Sequence, residues 1–115
     1  MTMKRIIAFI KPNMLEDVIF ALHDIEDCPG ASISEVKGIG SGSRDHLEHA
    51  DRTPFRGFPK SVRMEIVCAA EQAEEIVEAI REKAHTGLPD DGKIYISAVE
   101  DAIRIRTGEH GDNAV

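Results

Sequence analysis

Residues 62–83 read VRMEIVCAAEQAEEIVEAIREK, and within this run the hydrophobic period changes from two to about 3.6 residues. The first part, 62–68, alternates between apolar and polar residues, which predicts a strand. The second part, 71–83, predicts an amphipathic helix. The apolar stripe of that helix consists of Ala73, Ile76, Val77 and Ile80. KIYISAV at 93–99 predicts a further strand, which completes a β-α-β unit.

A second β-α-β unit precedes this one in the chain. KRIIAFIK at 4–11 predicts a strand that ends at Pro12, and its almost unbroken apolar run indicates a central strand covered on both faces. A helix follows, with Asn13 and Glu16 as a capping box at its start. Its apolar stripe consists of Leu15, Val18, Ile19, Leu22 and Ile25. ASISEVKG at 31–38 predicts the next strand.

The order of elements is β-α-β, long loop, β-α-β, which predicts an α+β fold of the ferredoxin-like βαββαβ type. The two helices would cover one face of the sheet. The other face must be covered too, and contact with other subunits is the simplest cover, so an oligomer is expected.

Residues 41–60 connect the two units and follow neither hydrophobic period. Their large apolar residues are Leu47, Phe55 and Phe58 alone. The segment predicts a long flexible loop, and a loop of this length in a compact domain often carries function. The alternative is a disordered insertion.

The composition fits one soluble domain, 1–115, in which 100–115 form a C-terminal tail. The net charge of −7 argues against a general nucleic-acid binder. No segment approaches the roughly 20 apolar residues of a membrane span, so membrane insertion is not expected. Cys28 and Cys68 lack the spacing of a metal motif or a disulfide framework, which favours a cytoplasmic protein with reduced thiols.

Two segments carry groups that suit phosphate. The first, TGLPDDGKI at 86–94, contains a glycine turn that can direct backbone N–H groups toward an anion, followed by the charge of Lys93. It is not a Walker motif, because Ile94 occupies the hydroxyl position and a strand follows. A plain strand connection is the alternative.

The second segment, IRIRTGE at 103–109, holds two arginines. On an extended chain Arg104 and Arg106 would lie on one face, where two guanidinium groups suit a polyphosphate. The alternative is an edge strand whose cations prevent further pairing.

Four separated motifs together resemble the PII family of signalling proteins. The first lies within 10–22 and consists of IKP, Leu15, DV and AL. The other three are EVKGIG at 35–40, TGLPDDGKI at 86–94 and IRIRTGE at 103–109. The resemblance extends from about residue 4 to the end of the chain. It implies a regulatory protein, not an enzyme, that forms a homotrimer and binds ATP, ADP or AMP between subunits. Its target would be a protein such as a membrane transporter or a metabolic enzyme, contacted through the long loop.

The resemblance also implies the residues of the nucleotide site. Those lining the adenine side would be Ser32, Gly38, Gly40, Glu65 and Val67. Those near the phosphates would be Gly87, Gly92, Lys93, Arg104 and Arg106. The two arginines would reach the site from the neighbouring subunit.

Departures from the family pattern modify these expectations. Ser41 and Gly42 replace the usual arginine and glutamine, so 2-oxoglutarate is expected to bind weakly or not at all. The tyrosine of the family's long loop is missing, since the only tyrosine is Tyr95 in the last strand, which argues against nucleotidylation. Asp90 replaces a usual glycine, and its carboxylate would favour ADP or AMP over ATP.

The long loop also contains DHLEHAD at 45–51. His46 and His49 are three residues apart, and imidazole with flanking carboxylates suits a divalent metal such as zinc, nickel or cobalt. A metal-binding protein of the same fold, concerned with metal tolerance, is therefore the alternative function. A solvated polar loop is the simpler interpretation of these residues.

Overall fold

The computed structural model describes residues 2–38 and 59–115. The elements in these ranges are Met3–Ile10 (β1), Leu15–His23 (α1), Ala31–Lys37 (β2), Lys60–Ala69 (β3), Ala70–Ala84 (α2) and Gly92–Val99 (β4). This order confirms the predicted βαββαβ arrangement. Most of the predicted long loop, 41–58, lies outside the described residues.

The strands form one sheet in the order β2-β3-β1-β4, and each neighbouring pair is antiparallel. β1 lies in the interior of the sheet, where Ile6 pairs with Ile66 of β3 on one side and with Ile96 of β4 on the other. The central position predicted for β1 is therefore confirmed.

The hydrophobic core lies between the helices and one face of the sheet. Every second residue from Ile6 to Ile10 in β1 and from Val62 to Cys68 in β3 is buried, because side chains of a strand alternate between its two faces. Val18 of α1 and Ile76 and Ile80 of α2 pack against this face and are fully buried. Burying a side chain of this kind contributes about 1.5–3 kcal/mol, so the helices hold this face tightly.

The opposite face of the sheet, here called the open face, has no helix of the described chain over it. Ile7 and Phe9 of β1 are only partly buried on this face, and Tyr95 of β4 is 54% exposed. The ring of Phe9 meets that of Tyr95 edge to face, with centroids 6.2 Å apart. Within one described chain, β1 is thus covered on one face alone, and cover of the second face must come from elsewhere.

The start of α1 differs from the prediction. A short 3₁₀ turn, Pro12–Met14, precedes the helix, and the N–H of Met14 donates to the carbonyl of Lys11 at 3.0 Å. No side chain caps α1, so the capping box of Asn13 and Glu16 was wrong. The reason lies in Pro12, whose fixed φ and missing N–H suit the first position of a helical turn and place Asn13 inside that turn.

Among the described residues, no helix is long and apolar enough to cross a membrane.

Candidate functional site

The loop from 86 to 92 joins α2 to β4, and one carboxylate holds it in shape. Asp91 accepts hydrogen bonds from the N–H of Thr86 at 2.9 Å and the N–H of Gly87 at 3.1 Å. It also accepts one from the hydroxyl of Thr86. The N–H of Leu88 donates to that hydroxyl oxygen at 3.2 Å. The first half of the loop is therefore fixed from within.

Lys11, at the end of β1, anchors this arrangement to the sheet. Its Nζ lies 3.2 Å from an Asp91 carboxylate oxygen and donates to the Thr86 hydroxyl oxygen at 3.2 Å. The Thr86 hydroxyl, the backbone N–H groups of Thr86 and Gly87, and Lys11 together hold the pKa of Asp91 far below its usual range. We call Lys11, Thr86 and Asp91 the loop clamp. The sequence pattern did not indicate this clamp.

Gly92 brings the loop into contact with the backbone of β1. Its φ is +110°, a conformation that favours glycine. A Cβ at this position would lie 1.7 Å from the carbonyl oxygen of Phe9, so no side chain fits. Gly87, at φ +82°, also needs a left-handed conformation. The glycines predicted at the phosphate loop are thus required by its backbone path.

Asp90 has a φ of +68°, which is unusual for a residue other than glycine. Aspartate tolerates the left-handed conformation better than most residues do, because its short side chain can bond locally. The position is exposed and directly precedes Asp91 and Gly92. Lys93, which follows them, is exposed and pairs with Phe9 in the sheet register.

The residues predicted on the adenine side fall on the open face, across β2 and β3. Ser32 pairs directly with Glu65, and Val67 lies two residues further along the same face of β3. The carboxylate of Glu65 lies 3.7 Å from Arg5 and 3.6 Å from Arg63. Both guanidinium groups flank Glu65, so its carboxylate meets opposite charges on the sheet surface.

Gly38 lies where the chain leaves β2, and its N–H donates to the carbonyl of Pro59 at 3.0 Å. The pair Lys37 and Lys60 comes immediately before this bond in the ladder between β2 and β3. The chain therefore departs at 38 and returns at 59 from one point of the sheet. Gly40, predicted beside the adenine, lies outside the described residues.

The tail contains a small hairpin instead of the extended segment expected for 103–109. Ile103 forms a β-bridge with His110, and the N–H of Arg104 donates to the carbonyl of Glu109 at 2.9 Å. The N–H of Gly108 donates back to Arg104 at 2.7 Å, which closes a tight turn. The extended conformation was wrong because Gly108, at φ +74°, permits the chain to reverse.

Arg104 and Arg106 lie in this hairpin and are exposed. No hydrogen bond or ion pair joins their guanidinium groups to another residue in the part of the chain that is described. Ile105 between them is 98% exposed. An isoleucine in this environment gains nothing from folding of the single chain, which is consistent with contact to another molecule.

Asp101 holds the base of the hairpin. Its carboxylate lies 2.8 Å from Nδ1 of His110 and accepts the N–H of Ala102 at 2.8 Å and that of Gly111 at 3.2 Å. The His110 ring and the two backbone N–H groups lower the pKa of Asp101. The base of the hairpin is therefore fixed by bonds within the tail itself.

The predicted site residues do not meet in one pocket of the chain. Ser32 and Gly38 belong to β2 and its end, at one edge of the sheet, whereas Gly92 and Lys93 belong to β4 at the other edge. A cleft of about 340 Å³ between α2 and β4 is lined by Gly92 and Lys93 but by none of the other predicted residues. Its other walls are mainly apolar and include Val77 and Ile80. The predicted set is therefore incomplete within a single chain.

The histidines predicted to bind metal, His46 and His49, lie outside the described residues. Elsewhere, in 2–38 and 59–115, no group of three or more histidine, cysteine or acidic side chains is arranged to hold a metal ion. Tyr95 lies on β4, as expected from the sequence, and not in a loop.

Comparison with known proteins gives consistent matches over the whole chain. The family model described as nitrogen regulatory protein P-II matches residues 3–109. The nitrogen regulatory protein P-II of Rhizobium meliloti (strain 1021) is 43% identical over 119 residues, which cover 98% of this chain and 100% of that protein.

Two solved structures show similar folds. The crystal structure of Arabidopsis thaliana PII bound to citrate has a TM-score of 0.80 and 33% identity, covering 99% of this chain and 92% of that chain. A structure of a B. subtilis GlnK–ATP complex has a TM-score of 0.79 and covers 99% of this chain and 96% of that chain. Its sequence identity is 24%, so this second similarity concerns the fold.

Proposed function

The chain belongs to the nitrogen regulatory protein P-II family, and from that membership we propose that it is a cytoplasmic, homotrimeric regulator that binds an adenine nucleotide between subunits. ATP, ADP and AMP are the ligands considered. Nucleotide binding would select a state of residues 41–60, through which the trimer contacts a protein target. A membrane transporter and a metabolic enzyme are the kinds of target proposed. A ligand can transmit a signal in this way only if it binds the two states with different affinity.

The observation that carries the nucleotide proposal is the backbone at Gly92. This residue lies against the Phe9 carbonyl in a conformation that no other residue can adopt without clash, and Lys93 follows it with an exposed ammonium group. Phosphate binding requires a close approach to the backbone together with positive charge. The loop clamp fixes this geometry before any ligand arrives, which lowers the entropic cost of binding.

The positions of the two predicted halves support a site between subunits. Ser32 on β2 and Lys93 on β4 are separated by three strand spacings, or roughly 14 Å, with β3 and β1 between them. If two copies bring a β2 edge close to a β4 edge, both halves contact one ligand. The two arginines of the hairpin, whose guanidinium groups have no partner among the described residues, would complete the phosphate side.

Isothermal titration calorimetry with ATP, ADP and AMP tests the nucleotide proposal. Arg104→Ala and Arg106→Ala each remove a charge-assisted hydrogen bond, typically about 1.5–3 kcal/mol, and should weaken binding about tenfold or more. Lys83→Ala is the matched control, because Lys83 is an exposed cation on α2 and lies outside both phosphate segments. If both arginine variants and the control bind like the wild type, the arginines do not belong to the site. If the folded wild type binds none of the three nucleotides, the nucleotide proposal is wrong.

The trimer is tested by the mass in solution. The open face carries partly buried Ile7 and Phe9 and exposed Tyr95, and a trimer that places this face inside would bury them. Light scattering should give three times the chain mass of 12.7 kDa. A monomer at micromolar concentration would contradict the proposal.

A metal-binding function is the second candidate, and the observation that favours it is the sequence DHLEHAD at 45–51. Imidazole and carboxylate groups at this spacing suit zinc, nickel or cobalt. Titration with Zn²⁺ in the absence of nucleotide, compared between the wild type and His46→Ala with His49→Ala, decides the matter. Tight binding that the double variant loses supports the metal function. Equal binding by both proteins removes the two histidines from consideration.

A further inference from the structure

The hydrogen-bond donors of the loop 86–92 fall into two groups. In the first half, the N–H groups of Thr86 and Gly87 donate to Asp91, and that of Leu88 donates to the Thr86 hydroxyl oxygen. Pro89 has no N–H group. The donors of the first half are therefore engaged inside the loop.

The second half of the loop differs in both donors and conformation. Asp90 has a positive φ, Asp91 does not, and Gly92 again has a positive φ. A turn of this kind can direct backbone N–H groups toward an anion. Among the hydrogen bonds of the described residues, none uses the N–H of Asp90 as donor, whereas the turn at 89–90 directs the N–H of Asp91 to the carbonyl of Leu88. A phosphate held by this loop therefore lies beside residues 90–93, where Lys93 adds its charge.

A carboxylate occupies the same half of the loop. The side chain of Asp90 is exposed and makes no ion pair with another described residue. The position itself favours glycine, so the aspartate occupies it at a conformational disadvantage. Its negative charge lies next to the N–H groups that would receive phosphate, and like charges at this range repel each other even when solvent screens them partly.

We propose that Asp90 is a specificity-determining residue whose carboxylate selects the bound nucleotide by phosphate charge, so that AMP and ADP are preferred over ATP. This inference rests on the proposed nucleotide function and specifies its ligand. The penalty grows with the charge of the phosphate chain, and a bound Mg²⁺ ion reduces it by neutralising part of that charge. The proposal is therefore tested by comparing how much the affinity for ATP, ADP and AMP changes when the Asp90 carboxylate is removed.

Asp90→Asn is the main variant, because asparagine also tolerates a positive φ and differs from aspartate chiefly in charge. Asp90→Gly removes the same charge and fits the backbone without strain. Asp24→Asn is the matched control, since Asp24 is an exposed aspartate at the end of α1 and lies outside the loop 86–92. Calorimetry on the folded trimers measures affinity for ATP, ADP and AMP without Mg²⁺ and for ATP with Mg²⁺.

We expect Asp90→Asn and Asp90→Gly to raise the affinity for Mg²⁺-free ATP by about three- to tenfold, as removal of one partly screened like charge implies. The gain should be smaller for ADP and for ATP with Mg²⁺, and smallest for AMP. Asp24→Asn should leave all four affinities unchanged.

Other outcomes overturn the inference in different ways. Equal gains for all nucleotides, or a gain in Asp90→Gly alone, would show that the backbone and not the charge matters. A loss of affinity for ATP with Mg²⁺ in Asp90→Asn would make Asp90 a metal ligand. If the wild type binds nucleotide and both variants bind identically to it, Asp90 has no role and the proposed function stands. If no folded variant binds any nucleotide, the proposed function fails and this inference with it.

Discussion

Replacement of Gly92 by alanine tests how the loop 86–92 is attached to the sheet. The added Cβ would lie 1.7 Å from the Phe9 carbonyl oxygen and 2.8 Å from its carbonyl carbon. Both are backbone atoms of a central strand, so neither can move aside as the end of a flexible side chain could. The start of β4 must therefore separate from β1, and the neighbouring Lys93 must move with it.

The expected cost has two parts. A left-handed conformation costs a residue other than glycine about 1–2 kcal/mol, and relief of an overpacked contact costs about 1–3 kcal/mol more. The sum is about 2–5 kcal/mol. The melting temperature of a domain of this size should fall by about 8–20 °C, at roughly 4 °C for each kcal/mol.

Alanine substitutions at two other glycines distinguish the conformational cost from the cost of the close contact. Gly108 has a φ of +74° and nothing within 4 Å of its Cβ position, so Gly108→Ala should show the conformational cost alone. Gly30 has open space and no positive φ, so Gly30→Ala should be neutral or slightly stabilising.

Thermal and urea denaturation rank the stability of the three variants, and calorimetry with nucleotide measures the effect of each substitution on binding. Gly92→Ala should be the least stable variant and should bind nucleotide most weakly at a temperature where it is still folded. If Gly92→Ala is as stable as Gly108→Ala, the close approach to Phe9 does not exist. If it is as stable as Gly30→Ala, the positive φ is wrong as well.

Three further predictions concern the loop clamp, the tail and the binding of 2-oxoglutarate. The depressed pKa of Asp91 adds stability that is present above the unfolded-state pKa of about 3.9 and is lost as the pH falls below it. Between pH 5 and 2, the free energy of unfolding should therefore depend less on pH in Asp91→Asn than in the wild type. If it falls equally in both proteins, the loop clamp is contradicted. Asp101→Asn removes the charged acceptor at the base of the arginine hairpin, so hydrogen exchange in 103–110 should become faster and nucleotide affinity should fall severalfold; unchanged exchange would show that the hairpin is held by other contacts. Gly42 has no side-chain amide, so 2-oxoglutarate at millimolar concentration with Mg²⁺ and ATP should bind weakly or not at all, and saturable micromolar binding in calorimetry would refute this.

The elements that could be predicted from sequence are those whose cause is local. The alternating pattern of 62–68 and the apolar stripe of 71–83 reflect the burial of one face of β3 and one side of α2. The glycine turn near 90 could be predicted from its local sequence, whereas the close approach of Gly92 to the Phe9 carbonyl became evident only in the structure. The fold class followed from the order of such elements.

Features that depend on contacts distant in sequence could not be predicted. Lys11 completes the loop clamp from the far end of β1, and no local pattern connects it with Asp91. The hairpin in the tail arises from Asp101 and His110, which bracket the arginines and contact each other only after the chain reverses. The sequence signal that was available is Asp101 before the arginines and His110 after Gly108. This combination is too common in proteins to identify a hairpin.

The bond between Gly38 and Pro59 has a consequence for how such proteins diversify. Because the chain leaves and rejoins the sheet at one point, the residues between 38 and 59 can be exchanged, lengthened or shortened without disturbing the ladder of β2 and β3. Doubling the length of a flexible connection costs only about 0.6 kcal/mol in closure entropy. The segment is therefore an interchangeable cassette on a constant scaffold. If the segment contacts the target as proposed, transplanting it into a relative should transfer the choice of target and leave the recipient's stability and ligand preference in place.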